Sequence, residues 1–212
     1  KNQYVIRHMT KSDLDLAISW AAAEGWNPGL HDKDAFYNTD PHGFFMGFLY
    51  GKPISCISAV SYGKDFGFIG FYIVHSKHRN KRYGIKIWNK ATNYLKTQNI
   101  GIDGVVAQQD NYKKSGFKLA YRNIRYQGAG KKYKIDDDNI TKINSVPFSN
   151  LIKYDKQCFP VSRPQFLKYW ISEPESLTLG FLKNNRLLGY GMIRKSNAGY
   201  RIGPLFADDK FT

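Results

Sequence analysis

The apolar and polar positions of the chain change period several times, and each change predicts an element. Tyr4-Val5-Ile6-Arg7 is a short strand. Thr10 with Asp13 three residues on has the form of a helix start, and Leu14, Leu16, Ala17, Ile18, Ala21 and Ala22 then form a helical stripe. That helix stops at Gly25, so Trp26-Asn27-Pro28-Gly29 is a loop, and a second short helix is expected over 32–37. Three strand-like runs follow, Phe44–Tyr50, Ile54–Tyr62 and Phe66–Val74, separated by the turns Gly51-Lys52-Pro53 and Gly63-Lys64-Asp65. They read as an antiparallel meander. Ile85, Ile87, Trp88, Ala91 and Leu95 mark a helix running to about Gln98. A short buried strand is expected over 104–107, a short helix over 110–115 ended by Gly116, and an alternating final strand over 117–126.

Beyond Gly128-Ala129-Gly130 the pattern repeats. A shift of 133 residues puts Gly47-Phe48-Leu49 on Gly180-Phe181-Leu182, the Gly51-Lys52-Pro53 turn on Asn184-Asn185-Arg186, and Ile69-Gly70 on Ile202-Gly203. Identities and turns in one register indicate a duplicated unit. Three antiparallel strands are therefore expected within 176–207. The division is 1–128 for a first unit, 129–145 for a linker and the first strand of a second, and 146–212 for an incomplete second unit.

Composition narrows the class. At 42% hydrophobic and 16% aromatic residues the chain has ample material for a packed core. No run approaches the ~18–20 apolar residues of a membrane span, and the opening segment has no signal-peptide core. The two cysteines, Cys56 and Cys158, form no pair or cluster, and the five histidines have no metal spacing, so neither a disulfide framework nor a metal is expected. The expectation is a cytoplasmic protein with no membrane partner. The net charge of +15 is spread over both halves, 18 Lys/Arg against 9 Asp/Glu up to Gly128 and 14 against 8 after it. Such an excess attracts anions. One stretch concentrates it: no acid lies between Asp65 and Asp103, whereas Lys77, Arg79, Lys81, Arg82, Lys86, Lys90 and Lys96 all fall there.

The basic stretch begins where Tyr72-Ile73-Val74 ends a strand, runs through Arg79-Asn80-Lys81-Arg82-Tyr83, and enters a long helix at Gly84-Ile85. Unpaired N–H groups at a helix start carry partial positive charge, so a diphosphate docks there readily, and glycine at 84 lets the backbone approach it closely. About 30 residues on comes Asn111-Tyr112-Lys113-Lys114-Ser115-Gly116-Phe117. Together these resemble the GNAT superfamily of acetyl-CoA-dependent N-acetyltransferases. Arg79 to Gly84 is similar to its Arg-x-x-Gly-x-Gly pyrophosphate loop, with Arg82 in place of the first glycine. Tyr112 to Phe117 is similar to its Tyr-x-x-x-Gly-Phe signature. The Glu24-Gly25-Trp26-Asn27-Pro28-Gly29 string and the tandem layout resemble a bacterial two-domain subgroup, a likeness that covers nearly the whole chain.

The resemblance implies an α+β fold, a mixed and mainly antiparallel sheet flanked by helices, followed by a partial second domain of the same kind. It implies acetyl-CoA as cosubstrate and no metal, with Tyr72, Ile73 and Val74 pairing to pantetheine, Arg79–Ile85 holding the diphosphate, and Asn111 beside Tyr112. Tyr112 would be the general acid toward the leaving thiolate. Many family members carry a glutamate base on the fourth strand, and Phe66–Val74 has none. Glu24 is either that base or a carboxylate closing a helix end. Trp26, Asn27 and Phe45 are the acceptor-side residues, with hydrophobic packing the alternative for Trp26 and Phe45. The implied reaction is direct attack of an amine, from a small molecule or a protein, on the thioester in a ternary complex. The second unit would shape the acceptor cleft or a homodimer contact; Pro204, with no N–H, argues against a second CoA site. A different class remains open: a binding protein that holds CoA or RNA without turnover. The local crowding of cations favours a compact diphosphate over a long nucleic-acid track.

Overall fold

The computed structural model describes residues 3–131, 137–210 and 212. Residues 132–136 of the expected linker lie outside them. The first half builds β1 (Tyr4–His8), α1 (Asp13–Ala23), α2 (Asp32–Thr39), β2 (Phe44–Leu49), β3 (Lys52–Ser61), β4 (Phe66–Val74), α3 (Tyr83–Tyr94), β5 (Asn99–Ile102) and α4 (Gln109–Lys114). The second builds β6 (Ile140–Lys142), α5 (Phe148–Cys158), α6 (Pro164–Trp170), β7 (Ser176–Lys183), β8 (Arg186–Lys195) and β9 (Tyr200–Ala207). One sheet has the order β1-β2-β3-β4-β5 and the other β6-β7-β8-β9. Every pairing is antiparallel except β4 with β5.

Strand alternation distributes the first sheet's apolar residues between two layers. Phe45, Ile57, Ala59 and Ile69 face α3, whose Ile87, Trp88 and Ala91 recur at helical spacing and, with Leu95 just beyond it, close a buried core. Phe44, Met46, Cys56 and Val60 face α1, α2 and the second half. There Phe36 of α2 packs on Phe166 and Trp170 of α6, at ring distances of 5.3 and 5.6 Å. The two halves therefore share one core. Below α5, buried Asp155 takes two 2.8 Å bonds from Arg163 and a third from the Tyr190 hydroxyl.

The strands expected within 176–207 are present, and their details repeat those of the first sheet. The β2–β3 hairpin turns through Tyr50 and Gly51, both at positive φ (50° and 77°); the β7–β8 hairpin turns through Asn184 and Asn185, at 52° and 59°. This left-handed pair matches the twist of tight hairpins. A bulge follows in each hairpin, at Gly47/Phe48 and Phe181/Leu182. These features superpose at an offset of 134 residues, so the Gly-Phe-Leu identities found by the 133-residue shift stand one residue out of structural register. In the third strands the original offset holds: Ile69 pairs with Ala59, and Ile202 with Ile193.

Three expectations need correction. The strand after α3 is Asn99–Ile102 rather than 104–107, because the Asn99 amide bonds to the Asp65 carbonyl (2.9 Å) and starts the ladder with Phe66–Ile69. Val105 and Val106 are exposed. Residues 117–126 form no strand: Leu119, Tyr121, Ile124 and Tyr126 are exposed and no ladder pairs them among the described residues. Alternation specifies a strand only where an edge receives it. Helix α3 ends at Tyr94, four residues early; Gln98 instead donates to Ser61 Oγ (2.7 Å) and the Gly63 carbonyl (3.0 Å).

Candidate functional site

β4 and β5 part company halfway along. Their parallel ladder runs from Phe66–Asn99 to Ile69–Ile102 and stops, while β4 continues to Val74 paired only with β3. Just past the fork β4 bulges, with Phe71 at φ 47° and the register slipping between Gly70 and Ile73. The bulge bends Tyr72, Ile73 and Val74 along the wall of a cleft of about 860 Å³. Their backbone on the β5 side is thus free of the ladder, as a strand-like ligand would need.

The basic loop closes one end of this cleft. Asn80 and Arg82 both adopt left-handed φ, 60° and 64°. Arg82 is the cap of α3 and occupies the glycine position of the family loop, so the chain keeps the glycine conformation at a cost of about 1–2 kcal/mol. Alternating left-handed residues turn successive amides toward one side, an anion-holding arrangement. Gly84 is small by necessity: a Cβ there would sit 2.8 Å from the Tyr72 hydroxyl and 3.4 Å from Val74 Cγ2. Asn80, Arg82, Gly84 and Ile85 line the cleft. Tyr83 is buried on the other side, its ring 4.8 Å from that of Tyr4. Lys81 is outside the lining, with Nζ on the Lys77 carbonyl.

Arg79 and Glu24 also line the cleft, and the Arg79 side chain is held at the root of the loop. Its Nε donates to the Val74 carbonyl (2.8 Å), and its Nη2 pairs with Glu24. Glu24 therefore has a partner that neither sequence reading supplied: it fixes the arginine at the root of the loop.

Tyr112 is positioned by glycines on both flanks. Gly116, at φ 90°, ends α4, and the Phe117 amide folds back to the Tyr112 carbonyl (3.1 Å). Gly104 lies so close to the Tyr112 ring that a Cβ would fall 2.3 Å from it. The ring stacks on Trp88 (5.8 Å, 28°) and borders the cleft, half-buried. Burial raises its pKa above the usual phenol value, as it does for Tyr72, pushed up to about 12. A phenol so placed stays protonated at neutral pH. Asn111 is exposed and spends its amide on Gln108 Oε1 (2.7 Å).

On the acceptor side the outcome is divided. Trp26 lines the cleft. Asn27 does not; its side chain bonds Ser196 Oγ, the Ala198 carbonyl and the Ala198 amide, each at 3.0 Å, and so ties the loop to the β8–β9 hairpin. Phe45 is fully buried under α3, so of its two readings packing is the one realised. Even-odd alternation along β2 puts it on the opposite face from Phe44 and Met46.

Asp103, Arg125 and Arg201 are among the polar residues of the lining that were not singled out from sequence. Asp103, just after β5, takes a 2.9 Å bond from Asn123 and is raised in pKa, chiefly by burial. Arg201 comes from β9. At the 133-residue offset it is the counterpart of Phe68, which also lines the cleft; only that offset could have pointed to it. Asp32 sits there too, its carboxylate held by Arg194 Nε at 2.6 Å and Nη2 at 3.3 Å. Among the described residues no cluster of His, Cys, Asp and Glu could hold a metal ion, and no helix is long and apolar enough to cross a membrane.

The chain is similar to known proteins in sequence and in fold. The acetyltransferase (GNAT) family model matches residues 12–117, and an acetyltransferase (GNAT) domain model matches 151–212. The holothin acyltransferase of Pseudoalteromonas sp. (strain SANK 73390) is 31% identical over 198 residues, covering 93% of this chain and 67% of that protein. The uncharacterized protein F36G3.2 of Caenorhabditis elegans is 24% identical over 170 residues, 73% of this chain and 54% of its own length. A crystal structure of an assigned acetyltransferase from Pyrococcus horikoshii superposes with a TM-score of 0.80 at 21% identity, over 97% of this chain and 72% of that one. The chain belongs to the GNAT acetyltransferase family, with a GNAT model matching each half, and is a GNAT-type acyltransferase.

Proposed function

We propose that the protein transfers the acetyl group of acetyl-CoA to an amine by direct attack within one cleft. The observation that carries this reading is the fork after Ile69 and Ile102, with the left-handed Asn80 and Arg82 amides at one end and Tyr112 on the wall. Pantetheine would continue the sheet beside Tyr72–Val74, and the diphosphate would lie on the α3 N-terminus and the loop amides. Gly84 gives the closest approach. Cations contribute less than their number suggests, since Arg79 is paired with Glu24.

The amine nitrogen attacks the thioester carbonyl carbon, a backbone N–H of β4 stabilises the oxyanion, and the C–S bond breaks. Tyr112 gives its proton to the departing thiolate. The amine's own proton goes to Asp103, whose position in the cleft and raised pKa suit a base; Glu24, held by Arg79, acts as a positioning residue. A covalent acyl-enzyme is disfavoured by the thiol nearest the fork. Cys56 is buried, donates to the Phe71 carbonyl (3.1 Å), and has its pKa raised well beyond the thiolate range. The likeness to a holothin acyltransferase supports acyl transfer as the reaction.

Acetyl-CoA titration by calorimetry, then an amine panel read by thiol release, tests the reading. Tyr112→Phe should keep acetyl-CoA affinity within a few-fold and lower kcat by about 10- to 1000-fold. No binding at millimolar acetyl-CoA, or an unchanged kcat in the phenylalanine variant, would count against it.

A further inference from the structure

Arg201 is a charged group with no ion pair among the described residues. It projects from β9 into the cleft and is partly buried. One nitrogen, Nη1, serves both the Trp26 and Asn27 carbonyls, each at 2.9 Å. Its Nε and Nη2 have no acceptor among the described residues. Burial, then the charges of Arg194 and Arg125, makes this guanidinium harder to keep protonated.

The neighbouring carboxylates are already committed. Asp32 is gripped by both forks of Arg194, Glu24 by Arg79, and Asp103 accepts from Asn123. Arg125, in the segment that passes the cleft after Asn123, has no ion pair among the described residues. Arg125 and the Nε and Nη2 of Arg201 thus face one cavity with guanidinium donors unspent, beside the apolar rings of Trp26, Phe36 and Phe68. Holding the 26–27 loop does not explain Arg201, because the Asn27 side chain already ties that loop with three bonds.

We infer that the acceptor carries, besides its amine, an oxyanion group that seats on Arg201 and Arg125, with an aromatic or apolar body between the two. The chemistry is that of a carboxylate or a phosphate, either of which a guanidinium fork binds in a bidentate manner. The inference rests on the acetyl-transfer reading for the amine, but the anion seat can be measured without turnover. It also gives the second unit a role, since β9 supplies the side chain that selects the substrate presented to the cofactor strand of the first.

Three probes that share one ring and one amine separate the possibilities: 4-(aminomethyl)benzoate, 4-(aminomethyl)phenylphosphonate and 4-methylbenzylamine, whose para group alone is neutral. Each is assayed by thiol release at saturating acetyl-CoA, and each is titrated into the acetyl-CoA-free protein by calorimetry. The expected result is a kcat/KM, or a binding constant, at least ~10-fold in favour of an anionic probe, the value of one charged bidentate contact. The stronger anionic arm identifies the group. Because Arg201→Leu also loosens the loop, the quantity read is the anionic-to-neutral ratio, which a general structural loss leaves alone. That ratio should collapse toward one in Arg201→Leu, fall partway in Arg125→Ala, and be partly kept in Arg201→Lys. Equal constants for anionic and neutral probes, or a ratio unmoved in Arg201→Leu, would overturn the inference. If acetyl-CoA fails to bind while the ratio holds by calorimetry, the transfer reading falls and the anion seat stands.

Discussion

Replacing Arg194 with methionine removes one half of the buried pair that joins the two units. Asp32 and Arg194 have only 9% and 8% of their side chains exposed and meet at 2.6 Å. Arg194 also donates to the Gly203 carbonyl (2.8 Å) and stacks its guanidinium on Trp170, 4.4 Å from the ring centre. In the methionine variant Asp32 would be an ionised carboxylate in the core, still bonded to the Gly29 amide and close to the buried Glu173. Truncating one member of such a pair costs about 3–5 kcal/mol. At roughly 2–4 °C per kcal/mol for a chain of this size, the unfolding midpoint should fall by about 6–20 °C. Adding Asp32→Asn removes the orphan charge and leaves an acceptor for Gly29, so the double variant should recover at least half of the loss. The Gly203 carbonyl stays unpaired in both, which leaves a residual deficit of about 1 kcal/mol. Urea unfolding followed by tryptophan fluorescence reads this directly, since Trp170 reports on the site. A single variant within ~1 kcal/mol of the parent, or a double variant no better than the single, would refute a buried, coupled pair.

Two further outcomes follow from individual contacts. Gly84→Val puts a branched side chain against the Tyr72 hydroxyl and Val74, so acetyl-CoA affinity measured by calorimetry should drop at least ~30-fold, about 2 kcal/mol, whereas exposed Lys96→Ala should leave it unchanged; equal affinities would mean that the ligand makes no close approach at Gly84. Glu173 has its pKa pushed up to about 8, first by burial and then by Asp32, so the folded state holds a proton that the unfolded chain releases near pH 4.5. Stability should decline as pH rises from about 4.5 to about 8 and level off above, and Glu173→Gln should flatten that slope. A parent and variant with parallel thermal-midpoint curves across this window would exclude the carboxyl as their cause.

How far the sequence could be read depended on the range of the interactions involved. Elements set by local chemistry were legible: the α1 stripe stopped by Gly25, the three-strand meander, the loop ahead of α3, and Tyr112 with Gly116 behind it. Elements set by a partner were misplaced. Asn99–Ile102 looks unremarkable beside Val105-Val106, yet the ladder from Asp65 onward recruits it. Residues 117–126 alternate well and find no edge. Phe45 shows the limit for side chains: period two says that Phe44 and Phe45 point to opposite faces, but which face meets α3 is a tertiary fact. Asp103, Arg125 and Arg201 lie far apart in the chain and share no motif, so only the folded cleft unites them.

The duplication gives the two halves one strand each with the same irregularity and opposite uses. β4 slips register at Phe71–Tyr72, between Gly70 and Ile73, and β9 slips at Gly203–Pro204, between Ile202 and Leu205, so at an offset of 133 residues the two slips overlap at Phe71 and Pro204 and stand one residue apart. A bulge frees backbone groups and turns side chains. On the proposed reading β4 spends the first consequence, offering amides to pantetheine from Tyr72 to Val74. At the same offset the counterparts of Tyr72, Ile73 and Val74 are Leu205, Phe206 and Ala207, so β9 keeps those N–H groups and differs in lacking one at Pro204, where β4 has Phe71. Arg201 precedes the β9 slip, in regular register with Arg194, and lines the same cleft as Phe68 of β4. On that reading the two copies meet at one cleft, β4 by its backbone and β9 by a side chain, and one equivalent of CoA per chain is the stoichiometry expected by calorimetry.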